Sequence, residues 1–403
     1  MIIIGAGPAG AAAAYFLAKG GARVVLLDKQ RFPRDKICGD GLTSPSLGVL
    51  ERMGLGDWVC NFNAPDTLLL SSPNYDSVKI RPPDENFCYG RVVPRLTLDY
   101  ELLKRAVEAG ASLYEETSPV EFERLSSEWV SVTVKHLKKN VSTKHTSTKF
   151  KGHLVICADG VHGSFTKKLG LIKGLPDLVA VRAYFEDVGT VHNVLEIHLD
   201  DTVTPGYAWI FPSNDGRANV GLGTFASRTK REKINLRAAL DQFLQNNPHA
   251  RSRLKPDRQI GKTVGFPIRT RMQDSVPVAD NILVVGEAAG VVDPITGDGI
   301  SEALETGEFA AHQALMSLAQ ADFSEKALIP YKKWLQKHYG TKHSSALMMR
   351  NLLGYNRLVN RLVQRAQTDA TFALNLAYMM IGFKPTYHML NPRSSECCSG
   401  HRE

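Results

Sequence analysis

An α/β fold is predicted, in which a parallel sheet with glycine-rich turns is interrupted by an antiparallel sheet and followed by a helical C-terminal region. Three observations predict it. Residues 1–28 read as strand, tight turn, helix and strand, and both strands (1–4 and 22–27) are apolar runs without polar alternation. Parallel strands buried on both faces have that pattern. Residues 175–270 hold four strand-like stretches at 181–188, 194–200, 207–213 and 218–225, an interruption long enough for an inserted antiparallel sheet. Residues 281–319 then repeat the opening logic: an apolar strand over 282–285, a glycine-rich turn and a helix from about 299.

The remaining elements follow from local pattern. Residues 94–110 form an amphipathic helix with Leu98, Leu102, Leu103, Ala106 and Val107 on one stripe. Residues 112–157 alternate and are rich in Thr, Val, Ser and Lys, which predicts strands joined by exposed hairpins, with the lysine-rich 135–151 as a solvated hairpin. From 325 onward the pattern is helical, and 386–403 reads as a polar, frayed tail. Residues 370–383 are apolar, too short a run to span about 30 Å of hydrocarbon. Two readings stay open for it: a buried C-terminal helix, which is favoured, or an interfacial helix making peripheral membrane contact.

A chain of 403 residues exceeds one minimal core. With 43% hydrophobic and 22% charged residues it is an ordinary globular composition. The net charge of +8 favours anionic partners, either phosphate-bearing substrates or acidic membrane surfaces. Nucleic acid is not expected, because there is no zinc-finger spacing, basic region or RNP-like aromatic strand. The six cysteines (Cys38, Cys60, Cys88, Cys157, Cys397, Cys398) form no metal-binding or disulfide framework, so a reducing, cytoplasmic setting is expected, with no metal. The uncharged first eighteen residues lack a basic n-region and reach a glycine turn after four residues, so they read as core and not as a signal peptide. A monomer is expected.

The first turn carries chemistry. Gly5-Ala6-Gly7-Pro8-Ala9-Gly10 follows an apolar strand and opens an Ala-rich helix, and Asp28 ends the next strand 23 positions after Gly5. Such a Rossmann-like unit binds a dinucleotide: the glycines admit the tight turn, the approach of the pyrophosphate and close helix–strand packing. Helix N-terminal N–H groups attract the diphosphate, and Asp28 is expected to hydrogen-bond the adenosine ribose. Downstream, Gly286-Glu287-Ala288-Ala289-Gly290 and Asp293-Pro294-Ile295-Thr296-Gly297-Asp298-Gly299-Ile300 resemble the flavoprotein segment that meets the ribityl chain and the isoalloxazine edge. That separates FAD from NAD. The usual residue at 287 is Asp, so Glu287 is a departure. Cys157-Ala158-Asp159-Gly160 resembles the intermediate flavin-site motif, and Pro94-Arg95 resembles the arginine found near FAD. The implied cofactor set is Gly5, Gly7, Ala9, Gly10, Asp28, Lys29, Cys38, Gly39, Asp40, Gly41, Leu42, Arg95, Val120, Asp159, Gly160, Gly286, Glu287, Pro294, Gly297, Gly299 and Ile300.

Residues 31–42 (Arg31-Phe32-Pro33-Arg34-Asp35-Lys36-Ile37-Cys38-Gly39-Asp40-Gly41-Leu42) resemble the signature of the geranylgeranyl reductase family. A second signature agrees: Tyr207, Trp209, Phe211-Pro212, then eight residues to Gly221-Leu222-Gly223. The likeness is strongest to the branch with menaquinone reductases and archaeal lipid reductases. The resemblance implies a p-hydroxybenzoate hydroxylase-like fold, bound FAD, and hydrogenation of isoprenoid double bonds in a prenyl lipid or prenylquinone. It makes Tyr207, Trp209, Phe211, Pro212, Gly221 and Gly223 the substrate set. Tyr207 and Trp209 share one side of a strand as an aromatic wall, while Gly221 and Gly223 leave room for prenyl units. Cys38 stands where the family carries a cysteine near the flavin, and its implied role is proton donor. Arg31, Arg34 and Lys36 read equally as holders of a phosphate headgroup or as a solvated basic loop.

The domain organisation expected is an FAD-binding domain over 1–175 and 265–320, a substrate sheet domain over 60–95 and 176–264, a helical region over 321–385 and a tail over 386–403. No second GxGxxG marks a nicotinamide domain, so NAD(P)H, ferredoxin or a quinol pool stays open as reductant. The competing functions are an FAD-dependent aromatic monooxygenase, a flavin halogenase and a non-catalytic prenyl-lipid carrier. The halogenase block Trp-x-Trp-x-Ile-Pro is not matched, since Tyr207 and Phe211 occupy two of its positions.

Overall fold

The computed structural model describes residues 1–84, 87–137, 147–189 and 192–382. The tip of the lysine-rich hairpin, the end of the apolar run at Phe383, the tail and Cys397 and Cys398 lie outside the described residues.

The first three residues after Met1 are β-branched isoleucines, and the strand Ile2–Ile4 lies at the centre of a six-stranded sheet. In order, the sheet is Val278–Ala279, Ile282–Val284, Val155–Cys157, Ile2–Ile4, Val25–Leu27 and Ser112–Tyr114. Only the edge strand Val278–Ala279 is antiparallel. The helices Pro8–Lys19, Arg95–Glu108 and Ile300–Gln320 pack together on this sheet. In the helix Arg95–Glu108, Leu98, Leu102, Leu103 and Ala106 are buried; Val107, assigned to the same stripe, is 42% exposed because it lies a residue past the buried arc. The strands Thr117–Arg124, Val130–His136 and Ser147–Gly152 form a separate three-stranded antiparallel sheet.

The interruption folds as a second, seven-stranded sheet: Gln259–Ile268, Leu178–Phe185, Ala218–Phe225, Tyr207–Pro212, Val194–His198, Thr67–Ser71 and Ser77–Ile80. One pairing departs from the antiparallel expectation. Thr67–Ser71 runs parallel to Val194–His198, because a segment far upstream enters the sheet beside a hairpin built later. The two-stranded ribbon of Gly41–Leu42 and Arg91–Val92 bridges the two large sheets in sequence.

Beyond Gln320 the chain is helical, with Glu325–Leu335, Thr341–Leu353, Asn356–Thr368 and Ala370–Met380. The last of these buries Ala373, Leu376, Ala377, Met379 and Met380 in one cluster with Leu68, Leu70, Ile80, Leu195 and Ile197 of the seven-stranded sheet. One face of the apolar run is thus buried, as the favoured reading has it, while Ala370 and Thr371 are exposed. No described helix is long and apolar enough to cross a membrane.

Candidate active site

A cavity of about 630 Å³ runs from the first turn of the parallel sheet to the face of the seven-stranded sheet. At one end are Gly5, Gly7, Pro8, Ala9, Asp28 and Lys29. Gly7 is the extended N-cap of the helix Pro8–Lys19, and Pro8 suits the first helical position because it has no N–H to leave unpaired. Gly5 has φ +100°, and a Cβ there would lie 2.3 Å from Ala158 O. A Cβ on Gly10 would lie 1.8 Å from Gly5 O, so Gly10 sits behind the wall and permits the helix to approach the strand. Asp28 holds this turn: Oδ2 accepts from Ala6 N at 2.7 Å and Oδ1 from Gln30 N at 2.8 Å. Each oxygen keeps lone-pair capacity where Asp28 meets the cavity.

The basic loop is solvated at Arg31 and engaged at Arg34 and Lys36. Arg34 stacks on Phe32 (4.6 Å), pairs with Asp99 (2.8 Å) and reaches within 3.5 Å of where a Gly7 Cβ would sit. Lys36 pairs with Glu287 at 2.9 Å and lies 5.3 Å over the Phe266 ring. Both line the cavity, whereas Arg31 is exposed and does not.

Midway, Asp159 and Gly160 line the cavity. The Asp159 carboxylate accepts from Phe165 N (2.9 Å) and Thr166 N (3.1 Å), capping the helix Ser164–Lys168, and burial pushes it above the ordinary range. Opposite, the turn 293–300 is built from its own carboxylates. Asp293 Oδ1 accepts from Ile295 N (2.8 Å) and Thr296 N (2.9 Å), and Asp298 Oδ1 accepts from Ile300 N (3.1 Å). Pro294, Gly297, Gly299 and Ile300 thereby face the cavity at the N-terminus of the helix Ile300–Gln320. Lys342, from the C-terminal helices, braces the turn through Asp293 (3.4 Å) and Glu302 (3.1 Å).

Cys38, Gly39, Gly41 and Leu42 line the junction between this path and the second sheet. Burial pushes the Cys38 thiol up, against the pull of the Arg95 guanidinium, so the thiol holds its proton at neutral pH. Arg95 is itself buried and fixed by a bidentate pair with Asp99 (2.7 and 2.8 Å). Beyond Cys38 the cavity becomes apolar: Tyr89, Leu195, Ile197, Tyr207, Trp209, Phe211, Phe225, Met380 and Ile381. The rings of Tyr207, Trp209 and Phe211 follow one another at centroid separations of 6.0 and 6.3 Å. The Tyr207 hydroxyl donates to Thr296 O, tying the aromatic wall to the turn 293–300.

Several expected contacts need correction. Gly221 does not leave room for substrate: a Cβ there would lie 2.3 Å from Trp209 Cζ2, so the space it vacates belongs to the indole, whereas Gly223 does line the cavity. Pro212 lies off the cavity, its carbonyl accepting from Asn63. Val120 also lies off it, because Thr117, Ser118 and Pro119 form that stretch of wall and the Val120 carbonyl accepts from Lys168 Nζ. Gly286 sits behind the wall against Ala9. Asp40 is 1% exposed and its carboxylate is turned into the protein, away from the cofactor path.

The residues fit a dinucleotide. One continuous cavity is flanked by two helix N-termini, cradled by glycines, and carries Arg34 and Lys36 on its wall. The sequence model of the FAD binding domain family matches residues 1–319, and the chain is an FAD-dependent oxidoreductase with a fold of the p-hydroxybenzoate hydroxylase-like kind. It is 31% identical over 324 residues to a menaquinone reductase of Mycobacterium tuberculosis, covering 77% of this chain and 75% of that one. It is 32% identical over 350 residues to a digeranylgeranylglycerophospholipid reductase of Methanocaldococcus jannaschii, covering 84% and 83%. The crystal structure of a geranylgeranyl bacteriochlorophyll reductase-like protein from Thermoplasma acidophilum has the same fold (TM-score 0.79, 23% identity, 97% of this chain and 98% of that one). The chain belongs to the geranylgeranyl reductase family of FAD-dependent oxidoreductases.

Proposed function

We propose that this reductase saturates carbon–carbon double bonds in the isoprenoid chain of a prenyl lipid or prenylquinone, with Cys38 as the proton donor. The observation that carries the reading is the junction at Cys38: its thiol, which burial pushes up, stands where a glycine-cradled dinucleotide path meets an aromatic, apolar branch. Bound in its reduced form, the flavin would supply the hydride for one alkene carbon. Cys38 gives its proton to the other carbon, and the Arg95 guanidinium, locked by Asp99, stabilises the thiolate left behind. The thiolate then regains a proton from solvent, and NAD(P)H or ferredoxin returns the two electrons. Tyr207, Trp209 and Phe211 exclude water from the reacting bond and orient a flat, apolar chain against the turn 293–300. The cofactor contacts in this reading are those of the sequence set that line the cavity.

The substrate's lipid character extends the proposal to a membrane edge. Between residues 343 and 382 four Arg residues stand against one acidic residue, Asp369. Met348, Leu352 and Tyr355 are exposed on this region, and Met380 and Ile381 of its last helix line the cavity. Peripheral contact with an anionic bilayer would bring lipid to that end of the cavity.

The test is anaerobic. The flavoprotein is reduced with dithionite, geranylgeranyl lipids or menaquinone are added, and flavin reoxidation is followed alongside mass spectrometry of the lipid. A gain of about 2 Da per flavin turnover, one added H2, is expected from the two-electron chemistry. Reoxidation that waits for oxygen and leaves the lipid mass unchanged would instead favour a monooxygenase. Sedimentation with anionic but not zwitterionic vesicles checks the membrane contact.

A further inference from the structure

The Cys38 turn is held by a buried polar network that belongs to neither the cofactor path nor the apolar branch. Asp40 sits two residues after Cys38 at φ +64°, a left-handed conformation uncommon for a residue with a side chain. That backbone turns its carboxylate inward, away from the cavity. Oδ2 accepts from the Tyr184 hydroxyl (2.6 Å) and from Asn219 Nδ2 (2.8 Å), and Oδ1 accepts from Arg95 N (3.3 Å). Tyr184 and Asn219 are register partners on neighbouring strands of the seven-stranded sheet, so one carboxylate closes over a cross-strand pair. Asn219 Nδ2 also donates to Cys38 O (2.7 Å), while its Oδ1 accepts from Trp209 Nε1 (2.9 Å). On its own turn, Asp40 N donates to Cys38 Sγ at 3.4 Å.

We infer that Asp40 is a positioning residue for Cys38: its carboxylate locks the Cys38 turn to the substrate sheet through Tyr184 and Asn219 and sets the field in which the thiol holds its proton. The inference rests on Cys38 being the acid of the proposed reaction. The aromatic wall enters the same lock, since Trp209 is fixed by the Asn219 that fixes Cys38 O. The thiol and the indole therefore keep one mutual geometry against the substrate chain. Three formal charges bear on the thiol: the buried Asp40 carboxylate opposes its ionisation, and the Arg95 guanidinium and the Lys36 ammonium favour it.

The charged and titratable groups facing Asp40 come from every element packed on it: Tyr184 and Arg182 from the strand Leu178–Phe185, Arg95 with Asp99 behind it from the helix Arg95–Glu108, and Cys38 from its own loop. Burial outweighs the hydrogen bonds and the guanidinium groups, pushing Asp40 up to about 6. Above that pH the ionised carboxylate accepts from all its donors. Below it, the bound proton competes with one of them.

The test reads the thiol directly, without substrate. The FAD-loaded protein is alkylated with iodoacetamide across a pH series, and modification of Cys38 is followed by peptide mass spectrometry. In Asp40→Asn an acceptor oxygen remains but the charge is gone, so Cys38 should ionise at lower pH. Alkylation at fixed neutral pH should rise about tenfold, the effect of roughly one pH unit, with FAD content unchanged. An unchanged Cys38 profile in a folded, FAD-bearing Asp40→Asn protein overturns the inference. Should that variant not fold, Tyr184→Phe removes a single donor and should move the step near pH 6 in the Cys38 profile upward. A step that stays in place overturns it equally. The assignment of Cys38 as the acid fails by a different route, full lipid turnover in Cys38→Ala, which leaves the alkylation result untouched.

Discussion

Lys36 Nζ lies 2.9 Å from Glu287 Oε2 and joins the Cys38 loop to the turn after the strand Ile282–Val284. Glu287 stands where an aspartate is usual, and its extra methylene lets the other oxygen accept from Arg269 N at 3.3 Å. The carboxylate is thus shared between a side chain and a backbone at the cofactor wall. Lys36→Met leaves Glu287, 10% exposed at its side chain, with a buried charge and no counter-ion. FAD affinity, measured by flavin fluorescence titration, should fall about tenfold. An unaltered affinity would mean that the pair plays no part in holding the cofactor.

The two glycines of the substrate strand should separate in their effects. Gly221→Ala places a Cβ 2.3 Å from the Trp209 ring and 2.4 Å from Val181 O. Overpacking of that kind costs about 1–3 kcal/mol, visible as a lowered Tm and altered Trp209 fluorescence. Gly223→Ala meets Ala180 Cβ at 3.2 Å and intrudes on the cavity. It should leave Tm nearly unchanged and reduce lipid turnover, so equal Tm losses in both would contradict the difference drawn between them.

The Glu302–Lys342–Asp293 cluster predicts a pH dependence with opposing signs. Glu302 is pushed well above its ordinary range, chiefly by burial, so the folded chain binds that proton more tightly than the unfolded one. Its contribution is present at low pH and is lost as pH rises through the elevated folded value. Burial, the largest influence, would raise Asp293, but Lys342, the Thr296 and Ile295 N–H groups and His343 together outweigh it and hold that carboxyl low. The Asp293 contribution is present above the ordinary aspartate range and is lost as pH falls through the depressed value. Glu302→Gln should therefore flatten the decline in Tm above the ordinary glutamate range and leave the acid limb intact. Calorimetry from below the ordinary aspartate range into the alkaline range checks both limbs.

Met380 and Ile381 are buried and line the apolar branch. Ile381→Trp adds bulk there without touching the dinucleotide path. Long prenyl chains should lose turnover by about tenfold or more, while short ones and FAD content hold. Competition assays with lipids of graded length give the answer, and a uniform loss across lengths would point to misfolding instead.

Local signals carried the cofactor half of the site. Gly5, Gly7, Asp28, Asp159, Gly297 and Gly299 stand within short strand–turn–helix units, so their neighbours in sequence are also their neighbours in space. The strand Ala218–Phe225 was legible to the residue, and Tyr207–Pro212 to within one, because alternation and flanking turn residues bound them. What escaped was set by register between distant strands. Tyr184 meets Asn219 only because Leu178–Phe185 pairs with Ala218–Phe225, and nothing near Asp40 in the sequence announces either partner. Gly221 was misread for the same reason, since the indole that fills its space belongs to the neighbouring strand. Tyr89 and Met380 likewise reach the cavity from opposite ends of the chain.

The family match ends at residue 319, yet the wall of the apolar branch is completed by Met380 and Ile381. The chain beyond that match serves both ends of the site, since Lys342 also braces the turn 293–300 through Asp293 and Glu302. In the proposed reaction, exchanging residues 321–382 between relatives would therefore alter the far end of the apolar branch and the support of the cofactor turn together.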